Sequence, residues 1–199
     1  MTDFIDHTHC FDTSFQNFVL AEREFHGIEF EECRFTDCDF SDANFQRCKF
    51  IGCEFKRCNM SMLEFSNSRL SEVSFVESKL VGIDWTKLSW PQYHTDFELS
   101  FQRCIMDHST FFGLTLKELV MDECKLREVD FREGDFSEST MTNCDFSRSL
   151  FMRTNLKKVD FSDSSGFGIN VLENQVEGAR FSQYEALSLL ECLGLELVD

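Results

Sequence analysis

A large apolar residue recurs every five positions along most of this chain. In its clearest stretch it occupies Phe35, Phe40, Phe45, Phe50, Phe55, Met60 and Phe65, and two positions before each stands Cys33, Cys38, Ala43, Cys48, Cys53, Cys58 or Leu63. The three intervening positions are mostly polar or charged. A period of five is neither the 3.6 of a helix nor the 2 of a strand. A unit with two inward and three outward side chains cannot bury anything alone, so its neighbours must supply the core, as in a solenoid. If each unit forms one side of a square coil, residues twenty apart stack at the inter-strand spacing of about 4.8 Å. The stacks then read Phe35, Phe55, Phe75; Phe111, Phe131, Phe151; and Phe25, Phe45, Phe65, Trp85. Large residues fall on large ones, as a close-packed interior requires.

The same frame divides the chain. Residues 1–22 are irregular and acidic, with Phe15 and Leu20 already in phase. Residues 23–90 hold an unbroken first run that ends on Leu70, Phe75, Leu80, Trp85 and Trp90. The only proline lies in the next segment, 91–99, where the pattern stops and the frame shifts by one. A second run fills 100–181, from Phe101 through Met106, Phe111, Leu116, Met121, Leu126, Phe131, Phe136, Met141, Phe146, Phe151 and Leu156 to Phe161. It breaks at the Gly- and Ser-rich 163–168 and resumes at Val171, Val176 and Phe181. In 182–199 the period becomes helical: Tyr184, Leu187, Leu190 and Leu193, with Leu189 beside them, predict an amphipathic helix. Ser182 supplies an N-cap and Gly194 a stop. Leu195, Leu197 and Val198 then alternate like a short strand.

Composition narrows the functional classes. The 24 Phe demand a packed interior, so the net charge of −17 does not signal disorder. A chain with 36 acidic and 19 basic residues is repelled by nucleic acids and anionic membranes, and an electrostatic partner should be basic. No apolar run is long enough to span a bilayer, and the N-terminus has no secretory pattern. The ten cysteines are therefore expected to be reduced thiols in a cytoplasm.

Candidate chemistry is sparse. Cysteines five apart would point to different sides of a square coil, which suits packing better than zinc ligation. His7, His9 and Cys10 form a potential metal cluster in the N-terminal segment, with a solvated tail as the plainer reading. His26, His94 and His108 have no nearby nucleophile, and phosphate-loop, HExxH and GxSxG motifs are absent. The expectation is a binding protein with no catalytic residue, metal or cofactor. Charge carries more information. Residues 33–90 hold eight acids and eight bases, whereas 91–199 hold twenty acids and ten bases. Asp122, Glu123, Glu128, Asp130, Glu133, Asp135, Glu138 and Asp145 all occupy outward positions, forming either a partner surface or a solubilising one. Outward apolar residues are few: Phe112, Leu150, Met152 and Val120, together with Tyr93 and Phe97 in the interruption, are candidates for partner contact.

The units Cys38-Asp-Phe-Ser-Asp42, Ala43-Asn-Phe-Gln-Arg47 and Cys144-Asp-Phe-Ser-Arg148 resemble the A(D/N)(L/F)xx signature of pentapeptide-repeat proteins over residues 15–181. The resemblance implies an all-β fold, a right-handed quadrilateral β-helix in two stacked halves with a short C-terminal dimerisation helix. The stretch from Tyr184 to Leu195 is similar to the terminal helix of the Qnr, MfpA and McbG subgroup. Trp85-Thr-Lys-Leu-Ser-Trp-Pro91 followed by Ser100-Phe-Gln-Arg-Cys104 resembles the interruption in albicidin-resistance proteins of the AlbG kind. The implied partner is DNA gyrase, and in some members topoisomerase IV, bound as a mimic of duplex DNA and protected from poisons such as albicidin or quinolones. Tyr184, Leu187, Leu190, Leu193, Leu195 and Leu197 would form the homodimer interface. A tail-to-tail dimer with twice the charge of −17 over about 80 Å carries about one charge per 2.4 Å, against about one per 1.7 Å for B-DNA. The alternative is an adaptor solenoid that binds another basic or apolar protein through 91–99 or the Phe112 patch.

Overall fold

A computed structural model describes residues 4–90 and 98–195. It is a nearly all-β parallel solenoid with four sides and one short C-terminal helix. The first side is a nine-stranded parallel ladder: Ser14–Gln16, Arg34–Thr36, Glu54–Lys56, Val73–Val76, Leu99–Gln102, Val120–Asp122, Thr140–Thr142, Asp160–Phe161 and Arg180–Phe181. Its eight steps of about 4.8 Å make a rod side about 38 Å long. The second side is held by single bridges, including Asp39 to Asn59 and Lys125 to Asp145. The third begins as Glu24–His26 against Asn44–Gln46 and continues through bridges from Asp84 to Thr110, Asp130 and Leu150. The fourth runs from His9–Phe11 through Glu29–Glu31, Lys49–Ile51 and Arg69–Ser71. It resumes as bridges from Thr115 to Asp135, Asn155 and Gln175.

Each position in the five-residue unit has a physical task. The central residue is buried and meets its equivalent in the next coil. Ring centroids of Phe35 and Phe55 lie 4.6 Å apart, those of Phe55 and Phe75 5.3 Å, and those of Phe131 and Phe151 5.0 Å, all stacked. The residue before the centre, when it is Asp or Asn, folds back on its own turn. Asp39, Asp135 and Asp145 each accept a hydrogen bond at 3.0 Å from the backbone N–H two residues on. This is the Asx turn that these side chains favour. The corner residue, two after the centre, takes a left-handed conformation: φ is 54° at Asp37, 52° at Arg57 and 53° at Glu77. Such a conformation costs a non-glycine residue about 1–2 kcal/mol. A bond to the next coil offsets it, as from Asp37 N–H to the Lys56 carbonyl at 3.0 Å.

The small residue two before the centre does more than fill space. At this position the Ser78 hydroxyl accepts from the Cys58 backbone N–H at 3.0 Å and lies 2.9 Å from the Val76 carbonyl and 3.2 Å from that of Phe55. Ser68, Ser109, Ser139, Ser149 and Ser164 accept a backbone N–H of the preceding coil in the same way. Cys144 does so more weakly, with the Cys124 N–H 3.4 Å from its Sγ, and other buried cysteines donate to backbone carbonyls, as Cys58 does to that of Phe35. All ten cysteines are free thiols, and burial pushes Cys53 up to about 12 and Cys48 up to about 11. The eight buried ones are packers with a hydrogen-bonding role that the pattern alone did not reveal.

Across the interruption, Phe75 pairs with Phe101, where an unbroken frame would place position 95. The register therefore gains six residues between the fourth and first sides, and the core is continuous across the break. Phe75 stacks on Phe101 at 5.1 Å, and Trp85 spans the break between Phe65 and Phe111 at 5.9 and 5.5 Å. Residues 91–97, including Tyr93 and Phe97, lie outside the described residues, as does Leu197.

The ends differ from expectation in three ways. The solenoid starts at His9–Phe11, inside the segment expected to be irregular, because Cys10 continues the frame of Phe30 and Phe50. Phe4 closes this end, with its ring 5.0, 5.3 and 5.1 Å from those of Phe15, Phe25 and Phe30. At the other end the helix spans Gln183–Glu191, so Leu193 and Leu195 lie beyond it. Ser182 precedes this helix without a side-chain cap, because its hydroxyl accepts from Asp163 N–H at 2.8 Å instead.

Two outcomes test this account. Ser78→Ala leaves the Cys58 N–H buried without an acceptor and should destabilise the fold by about 1–3 kcal/mol in urea denaturation. Ser78→Cys should recover much of the loss, since cysteine serves at equivalent positions; equal stability of the alanine variant and wild type would remove the proposed task. The second concerns Asp107, whose side chain is only 11% exposed. Burial alone would raise its carboxyl, but the Arg127 guanidinium and its backbone N–H outweigh this and hold it below the ordinary value. A depressed carboxylate contributes stability above its unfolded value, near 3.9, and loses it as pH falls through the folded value. Asp107→Asn should therefore cost about 1–3 kcal/mol at neutral pH, with the gap to wild type closing below about pH 4. A gap that does not change with pH would show that the ion pair is not its source.

Candidate interaction surface

The eight expected acids do not share a side. Asp122 and Glu123 stand on the first side, Glu128 and Asp145 on or beside the second, Asp130 and Glu133 the third, Asp135 and Glu138 the fourth. Two acids fall on each, so negative charge encircles the second half of the rod.

The acids also divide by task. Asp130, Asp135 and Asp145 sit before a centre and bind their own turns, with Arg132 N–H, Ser137 N–H and Ser147 N–H each donating at 3.0 Å. Asp122 accepts from the Thr142 hydroxyl at 2.9 Å and Asn143 at 3.0 Å, which lowers its carboxyl. Glu123, Glu128, Glu133 and Glu138 are corner residues with φ between 53° and 65°, and all are exposed. With Asp122, whose bonds go to the next coil, these four glutamates are the acids free of a turn-forming role.

Coil stacking brings cations to several of them. Arg148 and His108 flank Glu128, Arg153 pairs with Glu133, and Lys158 Nζ lies 2.7 Å from Glu138. The hydrogen bonds from Arg153 and Lys158 lower the carboxyls of Glu133 and Glu138. At Asp130, burial opposes ionisation, but Arg132, 2.8 Å away, more than offsets it. Exposed pairs of this kind are worth about 0–1 kcal/mol each, so a stronger external cation can displace them.

The apolar candidates gather on the third side. Phe112, Arg132, Met152 and Leu172 occupy equivalent positions in successive coils, with Leu150 next to Met152. Phe112, Leu150 and Leu172 are exposed and Met152 is half-buried. Arg132 divides the stripe, its guanidinium 5.8 Å from the Phe112 ring centroid. Leu172 is the member missed in the sequence, although the step of twenty from Met152 places it there. Val120 faces the first side.

On the terminal helix, Leu189 is buried against the core, while Tyr184 and Leu187 are exposed and Leu190 is half-buried. Leu193 and Leu195 are exposed beyond it. One face of the helix seals the last coil and the other is open to a partner. The potential cluster of His7, His9 and Cys10 does not form. Cys10 packs against the core and His9 faces outward, and the one metal-competent grouping among the described residues joins His9 to Glu29 and Glu31 instead. No helix among the described residues is long and apolar enough to cross a membrane.

The whole architecture has relatives in shape. The structure of full-length QnrB1, a plasmid-mediated fluoroquinolone resistance protein, superposes with a TM-score of 0.58 at 22% identity, covering 92% of this chain and 100% of QnrB1. Two trypsin-treated, singly substituted forms of QnrB1 superpose as well. One gives a TM-score of 0.61 at 20% identity, covering 98% of this chain and 96% of that one. The other gives 0.50 at 19% identity, covering 96% and 100% respectively. At this identity the likeness speaks to fold. No curated protein sequence matches the chain. The pentapeptide repeat region family matches residues 28–100 and 96–161. With the five-residue period, the four-sided coil and this match in agreement, the chain belongs to the pentapeptide-repeat family.

Proposed function

We propose that this protein is a non-enzymatic mimic of duplex DNA that binds DNA gyrase, with topoisomerase IV as a second target, and protects it from poisons such as quinolones or albicidin. The carrying observation is the ring of exposed corner glutamates, Glu123, Glu128, Glu133 and Glu138, around a stiff rod of DNA-like charge density. A DNA-binding groove is lined with Lys and Arg that neutralise phosphates. A rod with charge on all four sides can enter such a groove without one preferred rotation about its axis. The whole-length likeness to QnrB1, itself a fluoroquinolone resistance protein, supports the same reading. An adaptor role is favoured instead by the stripe of Phe112, Met152 and Leu172, which suits a partner with an apolar contact.

One experiment separates the two. Purified protein should restore gyrase supercoiling in the presence of ciprofloxacin or albicidin, or inhibit it without drug, and the effect should weaken with salt. Reversing the four corner glutamates to Lys should reduce it at least about tenfold with an unchanged circular dichroism spectrum, while Phe112→Asp should leave it intact. Indifference of gyrase at micromolar protein, with and without drug, would reject the proposal. Loss through Phe112→Asp alone would move recognition to the apolar stripe.

We further propose that two chains join through the exposed face of the terminal helix. Leu187→Asp with Leu193→Asp should give a soluble monomer by light scattering, because both side chains are exposed and Leu189, which anchors the helix, is untouched. A dimer that persists would place the interface elsewhere.

A further inference from the structure

The fourth side of the first coils carries a cluster that the proposed function does not use. His9 and Glu29 are direct partners in the parallel ladder, and Glu31 is the partner of Phe11. The two glutamates therefore point outward from one strand and the histidine points outward from the strand beside it. Backbone bonds hold these strands in register, from Glu29 N–H to the Thr8 carbonyl at 2.9 Å and from Asp12 N–H to the Glu31 carbonyl at 3.0 Å. One imidazole nitrogen and two carboxylate oxygens lie within 4.8 Å of one another. His9 Nε2 stands 3.0 Å from Glu31 Oε2. Two ligands at about 2.1 Å from a tetrahedral ion lie about 3.4 Å apart, so this hydrogen-bonded pair needs to open by only a few tenths of an ångström to become neighbouring metal ligands.

The surroundings suit a dication. Residues 1–32 carry eight acids and one base, and Asp12 and Glu32 occupy the adjoining corner. The cluster already attracts a cation: Lys49 Nζ lies 2.9 Å from Glu29 Oε2. An ammonium held by one carboxylate oxygen can be displaced by an ion that engages all three groups. The donor set of one imidazole and two carboxylates favours zinc and its first-row neighbours over calcium or magnesium, which take oxygen alone.

We propose that His9, Glu29 and Glu31 form a surface site for a zinc-class divalent cation. Water would complete the coordination, since the groups are exposed or half-buried on an open side. The ion would clamp the first coil to the second at the end of the rod closed by Phe4.

Isothermal titration of the full-length protein with Zn²⁺ tests this. One ion should bind per chain, His9→Ala and Glu31→Gln should each weaken binding at least about tenfold, and Lys49→Met should tighten it. Zinc should also raise the thermal midpoint of the wild type but not of His9→Ala. Both substitutions are at exposed or half-buried outward positions, and circular dichroism will confirm that the variants fold. The absence of saturable binding would overturn the site. Binding that is unchanged in both His9→Ala and Glu31→Gln would also overturn it and assign the ion to other groups, the thiols among them.

Discussion

Successive coils stand one inter-strand spacing apart, about 4.8 Å, in parallel register, and the other features of the molecule follow from that spacing. Every side chain has its own positional equivalent as a close neighbour. In the core this selects flat rings, and Phe35, Phe55, Phe75 and Phe101 stack face to face with centroids 4.6–5.3 Å apart. Beside the core it selects a small acceptor for the backbone N–H of the coil before, a task met by Ser78, Ser149 and, more weakly, Cys144. On the surface it penalises like charges in one stack. Opposite charges accordingly alternate at the corner after the first side, with Arg57 against Asp37 and Arg103 against Glu77.

The same spacing shapes the candidate surface. A chain with a net charge of −17 cannot avoid stacking some acids, and it distributes the excess around four corners in the second half. Aspartates that form Asx turns have their carboxylates committed to the turn, whereas the corner glutamates have not. Their left-handed backbone, fixed by bonds to the following coil, sets the height of each glutamate along the rod.

How far the sequence could be read depended on whether a feature followed the period. The centres, their stacking partners, the break after Trp90 and the change to a helix were all legible, because each is set by spacing along the chain. Leu172 was equally within reach at a step of twenty from Met152. The division of the acids into turn-forming and free groups was not read, since it depends on hydrogen bonds between nearby residues rather than on charge alone. The N-terminal segment was misjudged because Cys10 is a weak marker for a centre, although it occupies the place of Phe30 in the coil before.

The coil itself was already written in the chain, because burying one large residue in five leaves a four-sided stack as the way to pack them. So was the excess of acid over base, because net charge is a sum over composition. Which residues meet was settled only on folding. His9 joined Glu29 and Glu31 rather than Cys10, and Arg132 came to divide Phe112 from Met152. The reason is geometric: adjacent residues in a strand point to opposite faces, whereas residues a full coil apart are brought within contact distance.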